Sequence, residues 1–252
     1  MDKKKDYDLE PLYPGSTLFQ QYMLIFGTSA DPVHMGHIEL IIKGTKALLI
    51  QGLPVTQIML LPTFRHNPVC AERKDSLPLT FDQRFAMCEL AASEISQKLQ
   101  LQIENVFVSR LEEQLARACE IPNYTADTLE NLREMVNPKT GFVFLLGEDA
   151  LSGKLPKFAK WERFETIAQL AILAISPRTG YTINETFKNT LLKKGAQIIY
   201  LESVHIKDIS SSKIKMRLRQ GEDPLQLFKE GLLLKDIAVY IKEHDLANFW
   251  GE

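Results

Sequence analysis

The chain has 252 residues, of which 45% are hydrophobic and 25% are charged, which is the composition of a globular protein that needs no disulfide to hold its core. Its formal charge of −2 excludes a global positive field for a nucleic-acid polymer but allows a small anionic ligand. Because no apolar run is long enough for a transmembrane helix and the three cysteines are scattered as in reduced proteins, we expect a cytoplasmic protein without membrane contact.

Apolar strand-like runs alternate with amphipathic helical patterns along the chain. Strands are predicted at 21–27, 56–63, 101–109, 141–147, 170–176 and 196–202. Helices are predicted at 38–52, 80–96, 124–135, 161–169, 210–221 and 232–243, and Thr80 with Gln83 forms a capping-box pattern. Continuous apolar strands separated by helices predict an α/β fold, a Rossmann-like doubly wound parallel sheet that binds ligands beyond its strand C-termini.

The two ends of the chain differ in character from its middle. Residues 1–20 are acidic and poor in apolar side chains, so they are unlike a signal peptide, and we expect an N-terminal extension of weak structure. Residues 21–252 then form a single domain with a helical C-terminal part at about 205–252. The long polar loop at 63–79 is either functional or mobile.

The segment GTSADPVHMGH, residues 27–37, leaves the first strand and enters the first helix. His34 and His37 therefore lie beside a helix N-terminus, where free N–H groups and the helix dipole attract anions. Gly36 has no Cβ and lets a phosphate approach the backbone. Small residues leave the strand end open in the same way: Gly27, Thr28 and Ser29.

Four interpretations of the two histidines compete: phosphate binding, proton transfer, zinc binding, and ordinary hydrogen bonding within a loop. Zinc is disfavoured because His34 and His37 are only three apart, no carboxylate lies between them, and no nearby cysteine or histidine supplies a third ligand. Ordinary hydrogen bonding within a loop is also disfavoured, because two histidines occur together with glycines in one strand-to-helix loop. A phosphate is the interpretation that this pattern favours.

Five segments, in order, resemble the signatures of bacterial nicotinate-nucleotide adenylyltransferases, which belong to the HxGH nucleotidyltransferase superfamily. GTSADPVHMGH resembles the HxGH segment, PNYTADTL (122–129) the SYTxxTL segment and FLLGEDAL (144–151) the FxxGxDxL segment. LPKFAKWERFETI (155–167) is similar to the tryptophan loop of that family, and DISSSKIKMRLRQG (208–221) to its ISxTxIR motif. The resemblance covers residues 21–246 approximately.

The resemblance implies adenylyl transfer from ATP to nicotinate mononucleotide, which gives deamido-NAD and pyrophosphate, with Mg²⁺ as the partner of ATP. The attacking phosphate oxygen is already ionised at neutral pH, so the site must supply in-line alignment and charge stabilisation rather than a strong base. By resemblance, His37 stabilises the α-phosphate, while His34 and Ser29 contact ATP phosphates. The expected partners, ATP and nicotinate mononucleotide, are small molecules. Whether the protein also forms a homo-oligomer is left open by the sequence.

Further candidate residues for ATP lie after later strands. Ser210 and Ser212 bring hydroxyls to a helix start and Lys215 a charge; an ordinary serine N-cap is the alternative, but serines followed by lysines fit a phosphate better than capping alone. Asp149 is expected to accept from a ribose hydroxyl, with a helix N-cap as its alternative, and the resemblance puts Arg178 near adenine. The residues assigned to ATP binding are Gly27, Thr28, Ser29, Gly36, Gly147, Asp149, Arg178, Ser210, Ser212 and Lys215.

Three residues are assigned to nicotinate mononucleotide. Trp161 would stack on the pyridine ring, as the family tryptophan does, or pack under the sheet instead. Tyr124 and Thr125 start a helix whose N–H groups can bind the nicotinate carboxylate, although Thr125 as a simple cap is the alternative.

The chain departs from the family pattern at three points. Ala30 replaces an aromatic residue, and Lys215 replaces an arginine, so phosphate would meet a point charge instead of a bidentate fork. The family pattern has a cation in the loop after the second strand, and here Arg65, His66 and Lys74 all compete for that position. These departures leave two alternatives: an adenylyltransferase for the amide mononucleotide or another phosphate ester such as phosphopantetheine, and a diverged nucleotide-binding protein without activity.

Overall fold

A computed structural model describes residues 19–65, 77–118, 124–207 and 209–250. Within these ranges the chain forms one six-stranded sheet in the order β3-β2-β1-β4-β5-β6, with every neighbouring pair parallel. This order confirms the predicted doubly wound α/β sheet. The strands are β1 Gln21–Thr28, β2 Val55–Pro62, β3 Asn105–Val108, β4 Thr140–Gly147, β5 Ala171–Ser176 and β6 Ile198–Tyr200.

Helices connect the strands and cover both faces of the sheet. They are α1 Met35–Ile50, α2 Phe81–Leu99, α3 Leu111–Ala118, α4 Thr125–Met135, α5 Phe164–Leu170, α6 Glu185–Lys193, α7 Ser211–Arg219, α8 Pro224–Lys229 and α9 Lys235–Glu243. Short 3₁₀ turns occur at Glu148–Ala150, Phe158–Lys160 and Leu246–Trp250. None of the helices in the described ranges has the length and apolar character that crossing a bilayer requires.

Most predicted elements are present, and the differences have local causes. The first helix begins at Met35, three residues before its predicted start, because His34 takes the extended N-cap position. The third strand begins only at Asn105, because Gln102 and Ile103 still donate backbone hydrogen bonds to Leu99 and turn the chain. Helices α3, α6 and α8 were not predicted, and each has fewer than ten residues.

The sheet separates two buried clusters. Leu24 of β1 faces the cluster that contains α1, α2 and the C-terminal helices, whereas its neighbour Ile25 faces the cluster that contains α4, α5 and α6. This alternation is the two-residue period of a strand covered on both faces. The last helices belong to the first cluster through Ile214, Ile237 and the fully buried Trp250, so the C-terminal part shares its core with the sheet.

The strand order reverses between β1 and β4, which pair along Leu24–Val143 and Ile25–Phe144. Connections from two such strands leave toward opposite faces of the sheet, so a crevice opens beyond their C-terminal ends. In this fold the crevice lies between Thr28, where β1 ends, and Gly147, where β4 ends.

Candidate active site

The two histidines lie on the start of α1 itself. His34 is the N-cap, with an extended backbone at φ −143° and ψ 168°, and His37 lies in the first turn. Their rings stack with centroids 3.6 Å apart and planes 20° apart. The N–H of Met35 donates to the carbonyl of Leu232 at 3.0 Å and that of His37 to the carbonyl of His34 at 2.9 Å. The helix start therefore offers fewer free N–H groups than expected, and the imidazoles carry more of any anion binding.

Both imidazoles are held in the neutral form. Burial, followed by the charges of His37 and Arg178, lowers the pKa of His34 to about 2, and burial followed by Arg178 lowers that of His37 to about 4. Each Nδ1 atom is buried without a hydrogen-bond partner in the part of the chain that the structure describes. Buried polar atoms without a partner are costly and are characteristic of functional positions.

Gly36 makes room for the histidine pair. A Cβ added at Gly36 would lie 3.0 Å from Nδ1 and 3.1 Å from Cε1 of His34. The expected reason for this glycine was the approach of a phosphate, and the structure adds a second one, which is the placement of the His34 ring. Gly147 has a similar role, because its Cβ would lie 2.7 Å from Oδ1 of Asp149.

A cavity of about 560 Å³, here called the histidine cavity, opens beyond the ends of β1, β4 and β5. It brings together most of the residues predicted to bind ATP: Gly27, His34, Gly36, His37, Gly147, Asp149, Arg178, Ser210 and Ser212. Among the described lining residues, Lys157, Lys207 and Arg178 are cations and Asp149 is the one carboxylate. A cavity with this excess of positive charge suits a polyphosphate.

Asp149 is already paired on both sides. Its carboxylate contacts Nζ of Lys157 at 2.7 Å and the guanidinium of Arg178 at 3.1 Å. Burial alone would raise the pKa of Asp149, but these two cations outweigh it and lower the pKa. Asp149 is not a helix N-cap, since that position in the 3₁₀ turn belongs to Gly147. Its carboxylate is ionised and can accept from a sugar hydroxyl, although its two cations compete.

The serine segment is both a helix cap and part of the cavity wall. Oγ of Ser210 accepts the N–H of Lys213 at 3.2 Å, as the N-cap interpretation expects, and Oγ of Ser211 donates to the carbonyl of Pro32 at 3.1 Å. The second bond ties α7 to the histidine loop. Ser210 keeps its hydroxyl proton for a further acceptor, because a hydroxyl both donates and accepts.

Lys215 lies outside the predicted anion site. Its Nζ forms an ion pair with the buried Oδ2 of Asp31 at 2.8 Å, and Nε1 of Trp250 donates to the other oxygen at 2.7 Å. Lys215 is not among the residues that line the histidine cavity. Its contact with a phosphate therefore stays a prediction.

A second cavity of about 400 Å³, here called the Tyr124 cavity, lies between the ends of β1 and β2 and the start of α4. It shares Gly27 and Trp161 with the histidine cavity. Its lining contains the predicted residues Thr28, Ser29, Tyr124, Thr125 and Trp161. Ser29 and Thr28, which were predicted to contact ATP, therefore face the second cavity and do not line the first.

The start of α4 and Trp161 form two walls of the Tyr124 cavity. Tyr124 is the N-cap and its N–H donates to Asp127 at 2.9 Å, so Thr125 is the first helical residue and not the cap. Trp161 packs edge-on against Phe144, with centroids 6.0 Å apart, and also contacts Phe158. Because it is half-buried between the two cavities, Trp161 combines packing with a surface for a ligand.

Two buried charged residues of this region were missed by the sequence patterns. Arg84 on α2 is 1% exposed and donates to the carbonyls of Ser29, Thr63 and Phe64 at 2.9, 2.6 and 3.0 Å, which fixes the loops after β1 and β2. An arginine within the apolar stripe of α2 was the available signal. Glu112 lines the Tyr124 cavity from α3, a helix that was not predicted.

The loop after β2 is described only in part. Arg65, one of the three competing cations, lines the Tyr124 cavity. His66 and Lys74, the other two, lie outside the described residues. Within the described ranges, no group of three or more His, Cys, Asp or Glu side chains is arranged to hold a metal ion.

Comparisons with known proteins agree on the family. The family model described as "Cytidylyltransferase-like" matches residues 25–217. A protein of Dehalococcoides mccartyi described as "Probable nicotinate-nucleotide adenylyltransferase" is 31% identical over 224 residues, which are 88% of this chain and 95% of the relative. A protein of Solibacter usitatus with the same description is 28% identical over 90% of this chain and 99% of its own length.

The fold is also similar to a solved structure. Nicotinic acid mononucleotide adenylyltransferase of Plasmodium falciparum, complexed with NaAD, superimposes with a TM-score of 0.66 at 21% identity, covering 91% of this chain and 98% of that one. The sheet, the histidine loop at its switch point and these matches lead to one conclusion. The chain belongs to the nicotinate-nucleotide adenylyltransferase family.

Proposed function

We propose that this protein transfers the adenylyl group of ATP to nicotinate mononucleotide, which yields deamido-NAD and pyrophosphate in NAD biosynthesis. The observation that carries the proposal is the junction of two different cavities at Gly27 and Trp161. One cavity is suited to a polyphosphate and the other to an aromatic ring with a negative substituent. The membership of the chain in its family supports the same reaction.

In this proposal the triphosphate of ATP occupies the histidine cavity, as its Mg²⁺ complex. Lys157, Lys207 and Arg178 offset its negative charge. The imidazoles of His34 and His37, which line the cavity, are neutral, and each can offer one N–H to phosphate oxygens. Mg²⁺ would enter as part of the ATP substrate, and a magnesium ion held largely by phosphates would need few protein ligands.

The mononucleotide occupies the Tyr124 cavity. Its pyridine ring lies against Trp161, which presents an aromatic surface between the two cavities. Its carboxylate lies at the start of α4, where the positive end of the helix dipole favours an anion. Its phosphate then points toward Gly27, where the two cavities meet.

The chemistry follows from this placement. A phosphate oxygen of the mononucleotide attacks the α-phosphorus of ATP, and the bond from that phosphorus to the oxygen that bridges the α- and β-phosphates breaks. No proton has to be removed from the nucleophile. The protein therefore contributes alignment and hydrogen bonds to the charge that develops, and in this proposal His37, on the first turn of α1, donates one of them.

Release of pyrophosphate from Mg-ATP tests the proposal directly. Purified protein is assayed with nicotinate mononucleotide, nicotinamide mononucleotide or phosphopantetheine at equal concentrations. We expect the acid mononucleotide to give the highest kcat/KM at neutral pH. Pyrophosphate release with phosphopantetheine alone would move the protein to another substrate, and none with any of the three would leave a nucleotide-binding protein.

A further inference from the structure

A buried carboxylate lines the cavity that we assign to a substrate with its own carboxylate. Glu112 on α3 is 8% exposed and lines the Tyr124 cavity together with Tyr124 and Thr125. One of its oxygens accepts the backbone N–H of Phe64 at 3.0 Å. Two carboxylates that share one small cavity repel each other unless one of them takes up a proton.

The groups around Glu112 do not neutralise it directly. The charged residues that face it are Arg84 from α2, Arg65 after β2, and Lys160 and Glu162 before α5. The guanidinium of Arg84 is engaged with backbone carbonyls, and Glu112 forms no ion pair within the described residues. Among the lining residues that the structure describes, two cations and two carboxylates are equal in number, so these residues give Glu112 no excess of positive charge.

Glu112 can therefore exist in either form near neutral pH. Burial raises the pKa of its carboxyl to about 7, although the Phe64 N–H and the charge of Arg84 oppose the rise. The two forms bind different partners. A protonated carboxyl donates one hydrogen bond, whereas the ionised form only accepts.

We propose, on the basis of the proposed function, that Glu112 determines the preference between the acid and the amide mononucleotide. Its protonated carboxyl donates to the nicotinate carboxylate, whereas its ionised carboxylate repels the acid and accepts from the carboxamide N–H₂. Binding of the acid above neutral pH then takes up a proton onto Glu112, and binding of the amide does not. The role is one of specificity, because Glu112 is not assigned to the reacting phosphates.

The first test is the pH dependence of substrate preference in the unaltered protein. We measure kcat/KM for both mononucleotides between pH 6 and 9 and compare their ratio. Titration of the phosphates affects both substrates equally and cancels in the ratio. Because the fraction of protonated Glu112 falls tenfold per pH unit above its pKa, the acid-to-amide ratio should fall at least about tenfold between pH 6.5 and 8.5. A flat ratio in an active enzyme overturns the inference.

The second test removes the titration and keeps the shape. In Glu112→Gln the amide oxygen can still accept the Phe64 N–H, so the ratio should become independent of pH. The matched control is Glu113→Gln, since Glu113 is the next residue of α3, pairs with Arg110 and Arg117, and does not line the cavity. Its ratio should vary with pH as in the unaltered protein. A ratio that stays pH-dependent in Glu112→Gln contradicts the proposal.

The third test measures the proton itself and needs no variant. Calorimetric titration at pH 8 in two buffers of different ionisation enthalpy should show uptake of about one proton with the acid mononucleotide and none with the amide. It decides the question even if Glu112→Gln fails to fold. An enzyme active with the acid that takes up no proton refutes the role of Glu112 alone, whereas inactivity with both mononucleotides refutes the proposed function.

Discussion

The histidine cavity and the Tyr124 cavity meet at Gly27 and Trp161 but treat charge differently. Counted over the residues that the structure describes, the first is lined by three cations and the carboxylate of Asp149, together with two neutral imidazoles that have unpaired nitrogen atoms. By the same count, the second has two cations, two carboxylates and an aromatic wall. The difference indicates that the first cavity is organised around the charge of its ligand, whereas the second is organised around its shape and its one substituent.

The two cavities are also braced by different parts of the chain. The C-terminal part reaches the histidine loop through contacts from Leu232 to the N–H of Met35, from Ser211 to Pro32, and from Lys215 and Trp250 to Asp31. The Tyr124 cavity depends on α3, α4 and the buried Arg84, which is bonded to the carbonyl of Ser29. Variants can therefore affect one cavity and spare the other.

The largest effect is expected from loss of the His37 imidazole. His37→Ala should lower kcat at least about 100-fold, or about 2.7 kcal/mol, because it removes a donor that acts on the charge of the transition state. His244→Ala is the control, since this histidine is exposed and bonds only to the carbonyl of Tyr240. Pyrophosphate release measures both. Unchanged turnover in His37→Ala would show that the histidine cavity takes no part in the reaction.

The neutral state of the histidines predicts a loss of stability in acid. The pKa of His37 is about 4 in the folded chain and about 6.5 in the unfolded chain, so the unfolded chain binds more protons between these values. Stability is therefore retained above pH 6.5 and decreases as the pH falls toward 4. At pH 5 the contribution of His37 should be about 2 kcal/mol smaller than at pH 7.

Urea unfolding of the protein at both pH values checks this loss. The comparison is with His37→Gln, in which the loss attributable to residue 37 should disappear, and with His244→Gln, in which it should persist. An equal decrease in the protein and in His37→Gln would mean that His37 is protonated in the folded state.

A smaller effect is expected when the histidine pair is moved without being removed. In Gly36→Ala the new Cβ would crowd the His34 ring at 3.0 Å, and kcat should fall about tenfold, whereas alanine in a helix does not lower stability by propensity. The control is Gly44→Ala in the same helix, where a Cβ meets Leu145 at an ordinary 3.4 Å. Equal activity of the two variants would show that the ring position is unimportant.

The smallest effect is expected in the second cavity. Trp161→Ala should raise KM for the mononucleotide about fivefold, because loss of an aromatic contact costs about 1 kcal/mol. Trp161→Phe keeps an aromatic face and should restore most of the affinity. A lowered Tm with unchanged KM in Trp161→Ala would instead assign Trp161 to packing against Phe144 and Phe158 alone.

Much of the site was predictable because local patterns carry it. The apolar run before residue 27 and the helical pattern after it placed His34 and His37 at a helix start on the edge of the sheet. The predicted start of α1 was wrong by three residues, because the extended backbone of His34 at the N-cap depends on tertiary contacts. The prediction that Ser29 contacts ATP followed from its position in the loop. Which cavity Ser29 lines depends on tertiary structure, in which Arg84 donates to the carbonyl of Ser29.

The sequence by itself determined the alternation of strands and helices, the parallel sheet and the histidine-bearing helix start, because each depends on side-chain periodicity and backbone preference over a few residues. Tertiary structure alone decided that Lys215 pairs with Asp31, that α3 brings Glu112 into the Tyr124 cavity, and that Gly27 and Trp161 join two cavities. These are contacts between segments distant in the chain, and their charge balance and burial exist only once the segments have packed together.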